Sequence, residues 1–467
     1  MLFNSLEFLV FFIVITLSYF LLPPKLRAPL LLFASCYFYM AFVPVYIFIL
    51  FFTIVVDYIA GILLENSTKN KKGILLCSLV VNIGFLCIFK YYNFFATNID
   101  RGFTLFHWNV KLPLLAILLP VGLSFHTFQA MSYTIEVYRG HQKAERNFLI
   151  YALYVMFYPQ LVAGPIERPQ NLLHQFHSMP GIRFDRERVK SGLLRMGFGL
   201  FKKVVIADRL ALFVDGTYES PHLQTGWALV IASFFYSFQI YCDFSGYSDI
   251  AIGAAKVMGI DLMENFRSPY LAKSIPEFWR RWHISLSTWF RDYLFIPLGG
   301  SRVTTQRLCF NLFVVFLISG FWHGANWTFL IWGFLHAVLM ILSMLLGKRS
   351  SGGKKEDSTA MKVGKMIGVF LLINFTWIFF RAANIDHAKA ILKSMVHFKL
   401  SGAPMVFNAN ELFFSGLLIA FLVAKEYAGK PLVLVSNRRF AFQLVLLVAS
   451  CYLFGVFNYK KFIYFQF

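Results

Sequence analysis

The sequence predicts an all-α, polytopic integral membrane protein, and three observations carry that expectation. Apolar residues fill 58% of the 467 positions, against about 45–50% in soluble domains, and the mean hydropathy is +0.62. Long runs carry no charge, with no Lys, Arg, Asp or Glu between Leu308 and Leu346. The net charge of +21 gathers between the apolar runs, where cytoplasmic loops hold their basic residues, rather than in a nucleic-acid footprint. Membrane lipid is therefore the first partner, no nucleic-acid partner is expected, and a soluble protein is excluded. About ten to twelve transmembrane helices are expected, together with re-entrant and interfacial ones.

Spans are expected near residues 5–22, 29–44, 47–64, 74–95, 113–131, 328–346, 362–380, 409–425 and 440–458. Residues 1–22 stop at Pro23-Pro24, with no Lys or Arg before them and no small-residue cleavage site after; a retained first span with an outside N-terminus is the expectation. Basic loops at Lys25 to Arg27, Lys69 to Lys72, Arg139 to Arg146, Lys348 to Lys365 and Lys425 to Arg439 then face the cytoplasm, which leaves the tail Lys460-Lys461 outside, against the charge rule. Only Lys348 to Lys365 reads as a flexible linker, through Ser350-Ser-Gly-Gly353. No internal repeat suggests a transporter's duplicated halves, and a single membrane domain over residues 1–467 is the simplest organisation. The six cysteines show no CxxC pairing, so neither a disulfide framework nor a thiolate metal site is expected.

One helix through the uncharged stretch from Leu308 to Leu346 would be about 58 Å long, twice a hydrocarbon core. It must break, and Gly320, Gly324 and Asn326 are where it can. His323 falls at that break among Trp322, Asn326 and Trp327. Non-helical backbone at membrane depth survives only where protein buries it or a cavity meets it, and a titratable ring there is equally a packed histidine or a catalytic one. His126 and His336, single histidines within expected spans, read as packed.

The middle third does not parse into clean spans. Residues 158–168 are broken by Gly164-Pro165 and followed by Glu167 and Arg168, a re-entrant or interfacial shape in which that pair either ties helices together or meets substrate. His174 and His177 lack a carboxylate or thiol partner in sequence, so no metal is expected. Asp243 and Asp249 flank Ser245, Gly246 and Ser248 in apolar surroundings. Intramembrane aspartates are costly enough to need a role; a hydrogen-bond network shaping the site is favoured over proton transfer, with Gly246 as a break in the helix. Ser274-Ile-Pro-Glu277 is a capping box that should start an amphipathic helix running toward Pro297. Trp279, Trp282, Leu286, Trp289 and Tyr293 lie along one side and Arg281, Ser285, Thr288 and Asp292 along another. His283 joins the apolar row, where spacing favours a structural histidine over a catalytic one.

Taken together, LPVGLSFHTFQ (119–129), SYTIEVYRG (132–140), QLVAGPIER (160–168), YCDFSGYSD (241–249), FWRRWHISLSTWFRDYLFIPLGG (278–300), GFWHG (320–324) and WIFFR (377–381) resemble the membrane-bound O-acyltransferases. Within them they resemble the bacterial branch of alginate O-acetyltransferase membrane subunits. The resemblance runs along nearly the whole chain and puts the catalytic core at about residues 113–346. It implies two marker positions, a polar residue or His and a catalytic His some 40 positions later, which fall on His283 and His323. His126 and Glu136 stand where Tyr and Asp would be expected. It further implies no bound cofactor, a cytoplasmic acyl thioester donor such as acetyl-CoA, and a cell-envelope or exported polysaccharide acceptor. An extracytoplasmic acyltransferase partner of SGNH-hydrolase type and a multi-pass location in the bacterial cytoplasmic membrane complete the expectation.

Acyl transfer to a hydroxyl needs a base that works near neutral pH, and His323 is the candidate. Oxyanion donors could come from Asn326, from an indole N–H of Trp322 or Trp327, or from backbone amides at the break. No nucleotide fingerprint is present, since Gly197-Phe-Gly199 lacks the third glycine. The alternative reading is a transporter or flippase that moves an acyl or saccharide group without making bonds. It would call for repeated halves or charge pairs in several spans, and the sequence displays neither.

Overall fold

The computed structural model describes residues 1–108, 110–162, 164–349, 357–397, 406–429 and 436–457. Among these the regular structure is helical throughout. Six helices are long and apolar enough to cross a bilayer: Pro44–Asn66, Lys71–Leu105, Gly226–Val257, Thr305–His323, Trp327–Leu346 and Thr359–Arg381; Leu6–Leu21 is apolar but shorter. The chain is an all-α, multi-pass membrane protein. Residues 350–356 of the expected linker and the tail Lys460-Lys461 lie outside the described residues.

By contacts the chain groups into two compact units, Met1–Met196 with Ile250–Met263, and Gly197–Asp249 with Glu264–Phe467. In the first unit, buried Asp57 accepts from Ser78 Oγ at 2.6 Å and from Asn82 Nδ2 at 2.9 Å, and Ser78 also reaches Thr134. These bonds tie three helices where a lone carboxylate would be costly. Arg27 is spent on the carbonyls of Tyr19, Met179 and Ile182. The span expected over 113–131 does not form. Pro113 and Pro120 interrupt it, residues 110–120 run without helix, and the helix Leu123–Arg139 starts only after Gly122 at φ 77°. The backbone freed there is satisfied by side chains, with Asn93 bonding both N–H and C=O of Leu115 and Asp100 accepting from Leu112 N–H.

In the second unit the uncharged stretch is a hairpin. Thr305–His323 ends at the histidine, Gly324 is extended, and Trp327–Arg349 returns. The two helices touch backbone to backbone: a methyl on Gly320 would collide with the Phe329 carbonyl and one on Gly333 with the Phe316 carbonyl, the close approach that small residues permit in membranes. The single amphipathic helix expected from Ser274 is instead two short ones, Ile275–Arg281 and Ile284–Phe290, followed by a wide turn at Arg291–Phe295. The N-cap is present, with Ser274 Oγ accepting from Glu277 N–H, while Glu277 reaches back past the cap residue to Lys273 N–H. His283 breaks the helix at φ 42°, ψ 55°, so it does not continue the apolar row. Gly246 breaks nothing either, because Gly226–Val257 is one helix of 32 residues.

Candidate active site

His323 is buried at the last position of its helix. Its ring meets Trp322 at 4.9 Å, Trp332 at 5.1 Å and Phe380 at 5.2 Å between centroids, each near perpendicular. The break confines it: a methyl on Gly324 would run into the Phe329 ring. Three aromatic rings pack around the imidazole, and an aromatic face within about 6 Å favours a cation once the imidazole gains a proton.

The second imidazole, His283, is also buried. Its Nδ1 lies 3.1 Å from Asn265 Oδ1, and its ring packs edge to face on Phe244 at 4.6 Å. Burial holds its pKa down at about 3, so the ring is neutral at physiological pH. Trp322 is the wall the two histidines share, 6.4 Å from His283 and 4.9 Å from His323.

Beside them opens a cleft of about 480 Å³ whose walls include Arg267, Arg280, Arg291, Ser287, Thr288 and Ser319, with Trp279, Phe290, Phe316 and Met340 on the apolar side. Trp279 also touches Phe316 at 5.2 Å and Trp332 at 5.9 Å. The cleft therefore ends one indole away from the wall of the His323 box. Three arginines beside an apolar lining, Arg291 among them bonded to Asp292 at 2.7 Å, suit a ligand with anionic phosphate at one end and an uncharged chain at the other.

An ionic network braces the same unit. Lys203 Nζ bonds Asp208 and Asp243, each at 2.7 Å, and Lys202 Nζ bonds Asp249 at 2.6 Å and Ser245 Oγ at 2.8 Å. Both lysines come from the wide turn Phe201–Ala207, the kind of helix irregularity often found near functional sites.

The family model for membrane-bound O-acyltransferases matches residues 136–380, a span that contains both histidines, the cleft and the network. The chain belongs to the membrane-bound O-acyltransferase family. Among its relatives, the peptidoglycan O-acetyltransferase of Helicobacter pylori is 37% identical over 443 residues, 88% of this chain and 82% of the relative. The probable alginate O-acetylase AlgI of Pseudomonas aeruginosa is 37% identical over 446 residues, 92% of this chain and 83% of the relative. More distant is the teichoic acid D-alanyltransferase of Bacillus subtilis, 27% identical over 227 residues, 47% of this chain and 58% of the relative. The protein is thus a membrane O-acyltransferase, similar to the alginate O-acetylases, and a bond-free transporter is set aside.

Within this O-acyltransferase the structure gathers some of the expected site residues and disperses others. His323, His283 and Trp322 come together. Trp327 is exposed at the start of the returning helix. Asn326 is a cap: its Nδ2 donates to the Ala383 carbonyl at 2.7 Å and its Oδ1 accepts from Thr328 N–H, so one of its two amide N–H groups already has an acceptor. Arg281 bonds Glu277 at 2.7 Å and reaches the Ser268 carbonyl, tying its own helix to the segment before it. Asp243 and Asp249 hold the buried lysines. Glu167, in the first unit, accepts from Asn171 Nδ2 and Met263 N–H, each at 2.6 Å. With Arg168 next to it in sequence, it sits where the chain enters the helix Pro169–Ser178, which suits the tying reading. His174 bonds the Gln170 carbonyl and His177 bonds Glu145. His336 meets Thr376 Oγ1 at 3.0 Å, and His126 is buried in the first unit.

Sequence reasoning passed over Lys202 and Lys203, Asn265, Trp332, Phe380 and the cleft arginines 267, 280 and 291. Lys202-Lys203 inside the apolar run from Gly197 to Ala207 was a usable signal, since buried lysines need acids. Asn265 carried none, because its role depends on a neighbour 18 positions away.

Proposed function

We propose that this acyltransferase moves an acetyl group from a cytoplasmic acyl thioester, such as acetyl-CoA, across the membrane for O-acetylation of a cell-envelope or exported polysaccharide. The observation that carries the reading is the pair of buried imidazoles flanking Trp322 beside a three-arginine cleft. Arg267, Arg280 and Arg291 receive the donor's phosphates, and the Trp279 side takes its uncharged arm. His323 removes the proton as the acceptor oxygen attacks the thioester carbonyl. The aromatic box stabilises the imidazolium so formed, and the carbonyl π electrons move onto oxygen. When the tetrahedral intermediate collapses, the C–S bond breaks and the thiolate takes the proton back from His323. His283 lends its ring nitrogen to a hydrogen bond that orients a reactant. The relatives' names place peptidoglycan, alginate and teichoic acid chemistry in bacteria, which supports a bacterial cytoplasmic membrane location. The attacking hydroxyl belongs to an extracytoplasmic SGNH-type partner, which then passes the acetyl group to the polymer.

The test is turnover of acetyl-labelled acetyl-CoA by the purified protein. His323→Ala should lose label transfer and thioester cleavage by at least about a hundredfold, and His283→Ala by less. Undiminished turnover by His323→Ala would remove that residue from the chemistry.

A further inference from the structure

We infer that Asn265 is a positioning residue that sets the tautomer and orientation of His283; the inference rests on the reading of His283 as part of the acyl-transfer site. Asn265 is fully buried. Its Oδ1 accepts from Ser285 N–H at 3.3 Å and from Ser285 Oγ at 2.9 Å, and it faces His283 Nδ1 at 3.1 Å. Its Nδ2 donates to Ser248 Oγ at 3.2 Å, and its backbone carbonyl accepts from Ile284 N–H at 2.9 Å.

The orientation of this amide follows from its partners. A backbone N–H can only donate, so the atom facing Ser285 N–H is the oxygen, and the nitrogen is the atom that meets Ser248. An oxygen that only accepts requires a proton on the ring nitrogen it faces. His283 is therefore protonated on Nδ1, and the lone pair lies on Nε2. A neutral imidazole offers one donor and one acceptor, and the hydrogen bond at one nitrogen decides what the other can do. Serine-hydrolase triads show the same control, and loss of the correct tautomer there is costly even when geometry is intact.

The backbone agrees. His283 is one of three non-glycine residues with positive φ among the described residues, and it sits between two helices that could otherwise have been one. Such a conformation is strained for a residue with a side chain and persists only where its surroundings enforce it. Here the enforcement is Asn265, which receives the first N–H groups of the helix Ile284–Phe290 while holding the ring that precedes it. Phe244 and Trp322 close on the ring from two sides, leaving Asn265 to choose its rotation and its proton.

Two substitutions separate positioning from packing. Asn265→Leu keeps the branched shape and removes the acceptor. Asn265→Asp keeps the acceptor and adds a charge that draws a second proton onto the ring. With the full-length protein in detergent and labelled acetyl-CoA, Asn265→Leu should lower kcat about tenfold or more while the KM for the thioester stays within about twofold. Asn265→Asp should recover toward wild type near pH 8, with the acid limb of its profile moved up by about one pH unit or more. Nitrogen NMR of ring-labelled histidine, with His283 assigned by its loss in His283→Asn, should show Nδ1–H in the wild type and a shift toward Nε2–H in Asn265→Leu. Should Asn265→Leu fail to fold, the Asp variant and the wild-type tautomer decide alone. A wild-type ring protonated on Nε2, or superimposable pH profiles for Asn265→Asp and wild type, overturns the inference. Turnover by His323→Ala would instead overturn the reading of the site and leave the tautomer result standing.

Discussion

Gly246→Ala is a small change with a calculable consequence. The added methyl would sit 2.7 Å from the Gly199 carbonyl oxygen, 3.3 Å from Lys203 N and 3.5 Å from Lys202 Cβ. An ordinary carbon–oxygen contact needs about 3.3 Å, so the helix Gly226–Val257 must retreat by about 0.6 Å from the turn Phe201–Ala207. The two closest obstacles are backbone atoms, and no side chain can rotate to make room. Overpacking of this kind costs about 1–3 kcal/mol. The retreat also pulls on Asp243, Asp249 and Ser248, which carry the lysine bridges and the bond to Asn265. A misplacement of about 1 Å can cost about a hundredfold in rate; about 0.6 Å, passed through Asn265 to His283, should cost about tenfold. Gly368→Ala is the control, since a methyl there meets nothing within 4 Å and should leave activity unchanged while slightly stabilising its helix. Thermal unfolding in detergent and label transfer from acetyl-CoA are the paired assays. Wild-type melting and turnover in Gly246→Ala would refute the claim that this contact sets the geometry.

Lys203→Met strips the shared cation from buried Asp208 and Asp243. Burial already pushes the Asp208 carboxyl upward and Lys203 holds it down, so the variant should lose about 3–5 kcal/mol; an unchanged melting temperature would show that the bridges hold nothing. Glu167→Gln should alter the pH dependence of stability. Burial raises the Glu167 carboxyl from 4.5 to about 7, so the folded protein keeps a proton that the unfolded chain releases between those values. Stability from this group is present below pH 4.5 and lost as pH rises to 7, about 3 kcal/mol in all. Melting curves at pH 5, 6 and 7.5 should slope less in the glutamine variant, and parallel slopes would count against a buried, protonated Glu167.

What could be read from the sequence was whatever depends on local periodicity and on the cost of placing charge in lipid. The hairpin at Gly320 to Trp327 was legible because no uncharged helix of that length fits a bilayer, and His323 followed from it. The Ser274–Glu277 cap was legible because its partners are three residues apart. The failures share a cause. A glycine such as Gly246 signals either a break or a close approach, and only the presence of the Gly199 carbonyl opposite decides which. His283 looked like one more residue on an apolar face because the helix had no visible reason to stop; the reason is Asn265, whose amide caps the second helix from outside it. Helical periodicity describes a segment that answers to itself, and it misassigns residues whose conformation is set by a distant polar partner.

That distinction bears on how this site came to be hard to read. A histidine among aromatic rings needs little from the chain beyond a turn and three large side chains, and His323 meets those needs within its own hairpin apart from Phe380. An imidazole that must present one chosen nitrogen needs a rigid acceptor at the other, and a helix interior has none to give because its carbonyls are already bonded. Breaking the helix at His283 frees the ring to turn toward Asn265, and the amide that holds the ring also satisfies the N–H groups the break exposes. The left-handed residue, the cap and the tautomer are one arrangement, so a substitution that relieves the strain at His283 should also disturb the chemistry.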